Sequence, residues 1–223
     1  MMVVKGSVGL LLPFLLLASL SVCFSFVVRA PLPRGTGLQA RPFMALDMLA
    51  SQRSWRRVAH RNGRPFHKGD RLPTTPIRHT NADGKTATTT LREIFGDKKG
   101  ILFGVPGAFT PTCSNNHLPG FIEKTAELEE KGVEVVACVS VNDPFVMKAW
   151  GDLLGAPGKV IMLSDGNGDL AAAMGVLVDK SGSGMGNRNQ RFMAVVEGGA
   201  IKHASISDKG MQSTGVDDAL AVL

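Results

Sequence analysis

Cysteine is scarce in this chain of 223 residues: Cys23, Cys113 and Cys138 are the only three, and Cys23 falls in a stretch that reads as a removable leader. The two remaining thiols are too few for a disulfide framework, so the mature chain is expected in a reducing compartment. Cys113 is followed by Ser114, Asn115 and Asn116, so a C-x-x-C pair is missing and dithiol exchange is disfavoured as the main activity. The five histidines, His60, His67, His79, His117 and His203, are scattered without companions at ligand spacing, and neither a metal nor a cofactor is expected. Acidic residues are nearly absent from the first 65 positions, where Asp47 alone faces nine Lys or Arg, leaving 16 basic and 18 acidic residues, a net −2, for the remainder. The overall +6 therefore belongs to the front of the chain, and nucleic acid is not an expected partner.

The front is organised. Lys5 precedes an uncharged stretch over 6–28 with a Leu-rich centre, which reads as a signal peptide over 1–25 cut after Ser25. An uncleaved anchor is the weaker alternative, because Pro13, Ser19, Ser21 and Ser25 leave fewer than the ~20 apolar residues of a typical span. Residues 26–65 are arginine-rich, acid-poor and without apolar periodicity, as transit peptides are. A signal sequence followed by such a segment, with Phe26 at the junction, resembles the bipartite leaders of algae whose plastids lie inside the endomembrane system. A plastid reached by the secretory route is the expected destination, with the mitochondrion and the secretory pathway as alternatives and no stable membrane association once the leader is gone.

The remaining 66–223 read as one domain. Residues 100–105 are apolar strand formers, and Leu118, Phe121, Ile122, Ala126 and Leu128 recur at helical spacing over 117–131. Cys113 thus sits where a strand hands over to a helix N-terminus, whose unpaired N–H groups and dipole favour a thiolate. A small buried hydrophobe is the alternative, weakened by the polar neighbours Thr110, Thr112, Ser114, Asn115 and Asn116. An Asp83-Gly84 turn between short strands, a helical turn over 90–95, and a valine-rich buried strand over 133–141 are expected. Asn142-Asp143-Pro144 ends that strand, with Asp143 as N-cap and Pro144 at the first position of the next helix. A strand over 159–163, a helix over 169–174, a hairpin of 191–196 with 200–204 and a helix over 216–223 complete an α/β sandwich.

Several residues carry candidate chemistry. Thr110, three positions before Cys113, can hydrogen-bond a thiolate or a peroxide oxygen, or cap a helix; Pro106 and Pro111 stiffen the loop and remove donors, in a pocket or in an ordinary turn. Arg191 leads into an apolar strand where a cation is out of place, whereas Arg188 reads as a surface residue. His117 shares a helical face with Cys113, which raises a Cys/His dyad. Cys138 reads as buried and inert. Gly166-x-Gly168-x-x-Ala171 matches a dinucleotide fingerprint, but a tight turn before a helix explains it as well.

The string Pro106-Gly-Ala-Phe-Thr110-Pro-Thr-Cys113-Ser, followed by His117-Leu-Pro-Gly-Phe121 and by 140–151 (SVNDPFVMKAWG), resembles the plant-type type II, peroxiredoxin-5-like, branch of the peroxiredoxins over about 66–223. The resemblance implies a thioredoxin fold with a central mixed sheet flanked by helices, and a thiol peroxidase acting on hydrogen peroxide and alkyl hydroperoxides. It implies that Cys113 attacks the peroxide and becomes a sulfenic acid, that Thr110 and Arg191 activate it and bind the peroxide, that Pro106 shields it, and that His117 supports the pocket. It further implies a homodimer, with glutathione and glutaredoxin, or secondly thioredoxin, as reductant. Gly215 aligns where some two-cysteine relatives carry a C-terminal resolving cysteine, which puts an internal resolving disulfide in doubt. A redox-sensing relay or a holdase on the same fold is the competing, non-enzymatic reading.

Overall fold

The computed structural model describes residues 64–81 and 83–223. The leader readings over 1–25 and 26–65 fall outside the described residues, apart from Arg64 and Pro65. No helix among the described residues is long and apolar enough to cross a membrane.

The centre is a seven-stranded sheet in the order β2-β1-β5-β4-β3-β8-β9. Its strands are β1 Ile77–Thr80, β2 Thr86–Thr89, β3 Gly100–Gly104, β4 Val135–Ser140, β5 Ile161–Ser164, β8 Arg191–Glu197 and β9 Ala200–Ser207. β3, β4 and β5 run parallel, while β8 joins β3 antiparallel and the β1/β2 hairpin joins β5 antiparallel, so the sheet is mixed. A separate small hairpin, β6 Leu177–Asp179 with β7 Asn187–Asn189, was not legible in the apolar pattern because its strands are three residues each and only Leu177 and Val178 among them are apolar.

Alternation along the central strands divides the core. Ile101 and Phe103 of β3, Val136 and Cys138 of β4, and Met193 and Val195 of β8 face one side, with Cys113, Phe121, Trp150 and Val216. Leu102, Val135, Ala137, Val139, Phe192 and Ala194 face the other, with Phe66, Leu91, Phe95 and Leu170. A sheet buried on both faces explains why the 133–141 run reads as continuously apolar.

The helices start where local chemistry dictates. Thr90 and Glu93 cap α1 Leu91–Phe95 reciprocally, and Asp143 Oδ1 accepts from the Phe145 and Val146 N–H groups, with Pro144 opening α4 Pro144–Leu154. The helix expected over 117–131 is instead α2 Leu118–Glu123 and α3 Thr125–Glu130, separated at Lys124, where the backbone leaves helical geometry. α5 is Asp169–Ala173 and α6 is Val216–Val222. The dinucleotide-like glycines form a turn: Gly168 has φ 77, and the Asp165 carboxylate accepts from the N–H groups of Leu170 and Ala171 at 3.0 and 2.8 Å. Those donors, which a phosphate would need, are already taken.

β3 ends at a position that only glycine fits. Gly104 pairs with Phe192, and a Cβ there would lie 2.1 Å from a ring carbon of that phenylalanine. Gly104→Ala should destabilise the fold by about 1–3 kcal/mol through overpacking, seen as a lower urea midpoint at unchanged slope. A midpoint equal to the parent's would show that the ring gives way without cost.

Candidate active site

After β3 the Val105 N–H still bonds to Val139 O, and the chain then leaves the sheet at Pro106, which has no N–H to offer. The Ala108 N–H donates to Asn142 Oδ1 at 3.0 Å, and Phe109 turns with φ 60, a left-handed conformation costing about 1 kcal/mol or more outside glycine. This turn sets Thr110 ahead of a helix: the Ser114 N–H bonds to Thr110 O at 2.9 Å, and Pro111 takes the first helical position. The next turn widens. The Leu118 N–H reaches back to Cys113 O, making a π-helical turn over Cys113–His117, and the Trp150 Nε1–H donates to Ser114 Oγ at 3.0 Å, fastening it to α4.

Cys113 and His117, both wholly buried, meet Arg191, itself almost buried at the start of β8. Arg191 Nη2 donates to Cys113 Sγ at 3.2 Å and Nη1 donates to His117 Nδ1 at 2.7 Å. His117 Nε2 donates to Thr214 O at 2.7 Å. No direct Cys/His dyad forms; the histidine reaches the thiol through the guanidinium. Burial lowers the imidazole from 6.5 to about 4; the Thr214 bond opposes the shift and the Arg191 charge reinforces it. The unfolded imidazole thus takes up its proton near 6.5 and the folded one near 4, so this group costs stability as the pH falls through that interval.

Thr110 neither caps the helix nor touches the thiol. Its hydroxyl donates to Gly107 O at 2.8 Å, which leaves the hydroxyl oxygen free to accept. Pro106 and Arg191 border a cleft of about 160 Å³ shared with Thr112, Lys180 and Asp208; larger hollows of about 410 and 360 Å³ contain none of these site residues.

Arg188 is not the surface residue its polar surroundings suggest. Half-buried, it donates from Nε to Met185 O at 2.7 Å and from Nη1 to Val141 O and Asn142 Oδ1 at 3.2 and 3.3 Å. Asn142 thereby joins Arg188 to Ala108, so Arg188 braces the loop that carries Thr110. The sequence held no periodic signal for this, since the small hairpin bearing Arg188 was itself invisible. Cys138 lies inside β4 opposite Phe103 and Met162, wholly buried. Burial, with the nearby Cys113 charge, pushes its thiol well above the ordinary value, only partly offset by Arg191. Gly215 begins α6, next to Thr214.

Residues 67–223 match the Redoxin family. Chloroplastic peroxiredoxin-2E-2 of Oryza sativa subsp. japonica is 47% identical over 150 residues, covering 66% of this chain and 67% of that protein. The crystal structure of reduced Prx3 from Vibrio vulnificus in complex with hydrogen peroxide superposes with a TM-score of 0.66 at 38% identity, over 70% of this chain and 98% of that one. Peroxiredoxin 5 from Alvinella pompejana gives a TM-score of 0.63 at 30% identity, over 71% and 97%. With the mixed sheet and the buried thiol–guanidinium contact already in view, these similarities make the chain a member of the redoxin family and, within it, a type II peroxiredoxin, a thiol peroxidase on the thioredoxin fold.

Proposed function

We propose that Cys113 is the peroxidatic thiol of this peroxidase and that Thr110, Arg191 and Pro106 complete its site. The observation that carries this reading is the 3.2 Å contact from Arg191 Nη2 to a wholly buried Cys113 Sγ. A permanently charged guanidinium stabilises the thiolate in a place where water cannot. The thiolate attacks the distal oxygen of HOOH or ROOH, the O–O bond breaks, and Cys113 becomes the sulfenic acid while the departing oxygen takes a proton and leaves as water or alcohol. Arg191 Nε and the second hydrogens of its terminal nitrogens make no bond to another described residue, so they are available to the oxygen that gains charge. The free lone pairs of Thr110 Oγ1 suit the hydroperoxide O–H, and Pro106, lacking a donor, closes the side toward the cleft.

Cys113→Ser should abolish peroxide turnover with the fold intact, since a hydroxyl supplies no anion at neutral pH. Arg191→Ala should slow peroxide reduction at least roughly tenfold, about 1.4 kcal/mol of lost transition-state stabilisation. Stopped-flow peroxide consumption and circular dichroism measure both; a parent-like rate in either variant would show that the substituted residue takes no part in the chemistry.

Glutathione with glutaredoxin is the proposed reductant. Cys138 is held inside β4, and Gly215 offers no C-terminal thiol, so an external small thiol is the simplest attacker of the sulfenic acid, releasing water and leaving a mixed disulfide that glutaredoxin reduces. Cys138→Ser should keep most of its glutathione/glutaredoxin-supported turnover, and peroxide plus glutathione should add one glutathione mass at Cys113. A Cys113–Cys138 disulfide in the oxidised protein, with turnover lost in Cys138→Ser, would instead establish a two-cysteine cycle and favour thioredoxin.

A homodimer is proposed through the face where Phe109 and Phe145, 52% and 70% exposed, project from segments joined by the Ala108–Asn142 bond. A plastid is the proposed compartment, in keeping with the leader and with the chloroplastic rice relative. A fluorescent protein behind residues 1–65 should reach a plastid through the secretory route, while one behind 26–65 should not. Secretion of the first fusion into the medium would overturn the plastid reading.

A further inference from the structure

Arg191 is a buried cation without a carboxylate: no Asp or Glu oxygen lies within 4.0 Å of it among the described residues. Among the described residues its side-chain partners are Cys113 Sγ and His117 Nδ1. The protonation of His117 follows from its neighbours. Thr214 O can only accept, so Nε2 carries the hydrogen; a guanidinium can only donate, so Nδ1 must present its lone pair. Both demands are met by one neutral tautomer and by no charged form. The imidazole packs, tilted, against the stacked pair Phe103 and Phe121, with ring centroids at 5.0 and 5.7 Å. The charged or titratable groups facing it are Arg191 from β8 and Cys113 from its own turn, while Phe103 of β3, Phe121 of α2 and the Thr214 segment present none.

We propose that His117 is a positioning residue that holds the Arg191 guanidinium against Cys113 as a neutral acceptor, so that the whole positive charge remains available to the thiolate. A carboxylate in the same place would hold the guanidinium equally well. It would also neutralise it, and a neutralised guanidinium does less for a neighbouring anion. The far end of the imidazole is fixed to Thr214, between Ser213, with φ 58, and the start of α6, so the orientation of Arg191 is braced from the C-terminal segment as well as from β8.

This inference rests on the assignment of Cys113 and Arg191, and its test uses an isosteric pair that separates geometry from charge. His117→Asn places an amide oxygen near the position of Nδ1, a neutral acceptor; His117→Asp places a charged one there; His117→Leu removes the acceptor. With folding checked by circular dichroism and thermal midpoint, His117→Asn should recover most of the parent second-order rate with hydrogen peroxide, within about threefold. His117→Asp and His117→Leu should each lose at least roughly tenfold, and their thiolate ultraviolet absorbance should appear at higher pH than in His117→Asn. If Asn and Asp variants share one rate and one titration curve, the neutrality of the acceptor is irrelevant and the inference falls. A folded His117→Leu protein with parent behaviour would make His117 a packing residue only; should it not fold, the Asn and Asp comparison decides alone. An inactive Cys113→Ser protein beside indistinguishable His117 variants would overturn this inference while leaving the peroxidase assignment in place.

Discussion

The site depends on one guanidinium that serves two partners. Arg191 enters from the first residue of β8 and divides its terminal nitrogens between Cys113 Sγ and His117 Nδ1, 3.2 and 2.7 Å away. A buried charge is costly unless it is hydrogen-bonded and compensated. In this site one hydrogen bond goes to a neutral ring and the other to Cys113 Sγ, and in the proposed reading the compensating charge is a Cys113 thiolate.

Holding that guanidinium in register uses parts of the chain far apart in sequence. Trp150 of α4 fixes the π-helical turn through Ser114, and Arg188 fixes the Thr110 loop through Asn142. Among the described residues, Phe109 and Ser213 are the non-glycine residues with positive φ, at 60 and 58. Each immediately precedes a group used at the site: Thr110 in one case, the Thr214 carbonyl in the other. Strain of roughly 1–3 kcal/mol at each persists only where the surroundings over-determine it, and both positions are bracketed by hydrogen bonds to Asn142, Gly107, Met211 and His117.

Much of this was legible in the chain. Asp143-Pro144 announced a helix start, the valine-rich run announced a strand buried on both faces, and Arg191 stood out as a cation at the head of an apolar strand. What escaped notice has a common physical cause. The π-helical widening at Cys113–His117 changes no apolar spacing, the β6/β7 hairpin is too short, at three residues a strand, to alternate visibly, and the Arg188–Asn142–Ala108 link joins residues whose proximity depends on that hairpin. Thr110 is a subtler case. Its position before Cys113 suggested a bond to the thiolate or to a peroxide oxygen; a hydroxyl has one hydrogen, the Gly107 carbonyl takes it, and what Thr110 has left to offer is its lone pairs.

The two cysteines of the domain make the governing constraint plain. Cys113 and Cys138 lie in the same apolar cluster, both without exposed surface and both unpaired by a disulfide. Burial alone cannot therefore separate a reactive thiol from an inert one. Cys138 has no donor among the described residues; desolvation and the neighbouring Cys113 charge push its thiol up, and Arg191 offsets this only in part. Cys113 has the same apolar surroundings plus one guanidinium N–H at 3.2 Å. On the proposed assignment, a single charge-assisted hydrogen bond in a low-dielectric setting, where such bonds are strongest, is what separates two otherwise similar sulfur atoms. Cys138 also pairs across the central sheet with Phe103 and Met162, and a disulfide to it would take Cys113 Sγ, in its thiolate form, away from Arg191 as a hydrogen-bond partner. An external thiol, the reductant proposed for this chain, would leave the sheet contacts of Cys138 untouched.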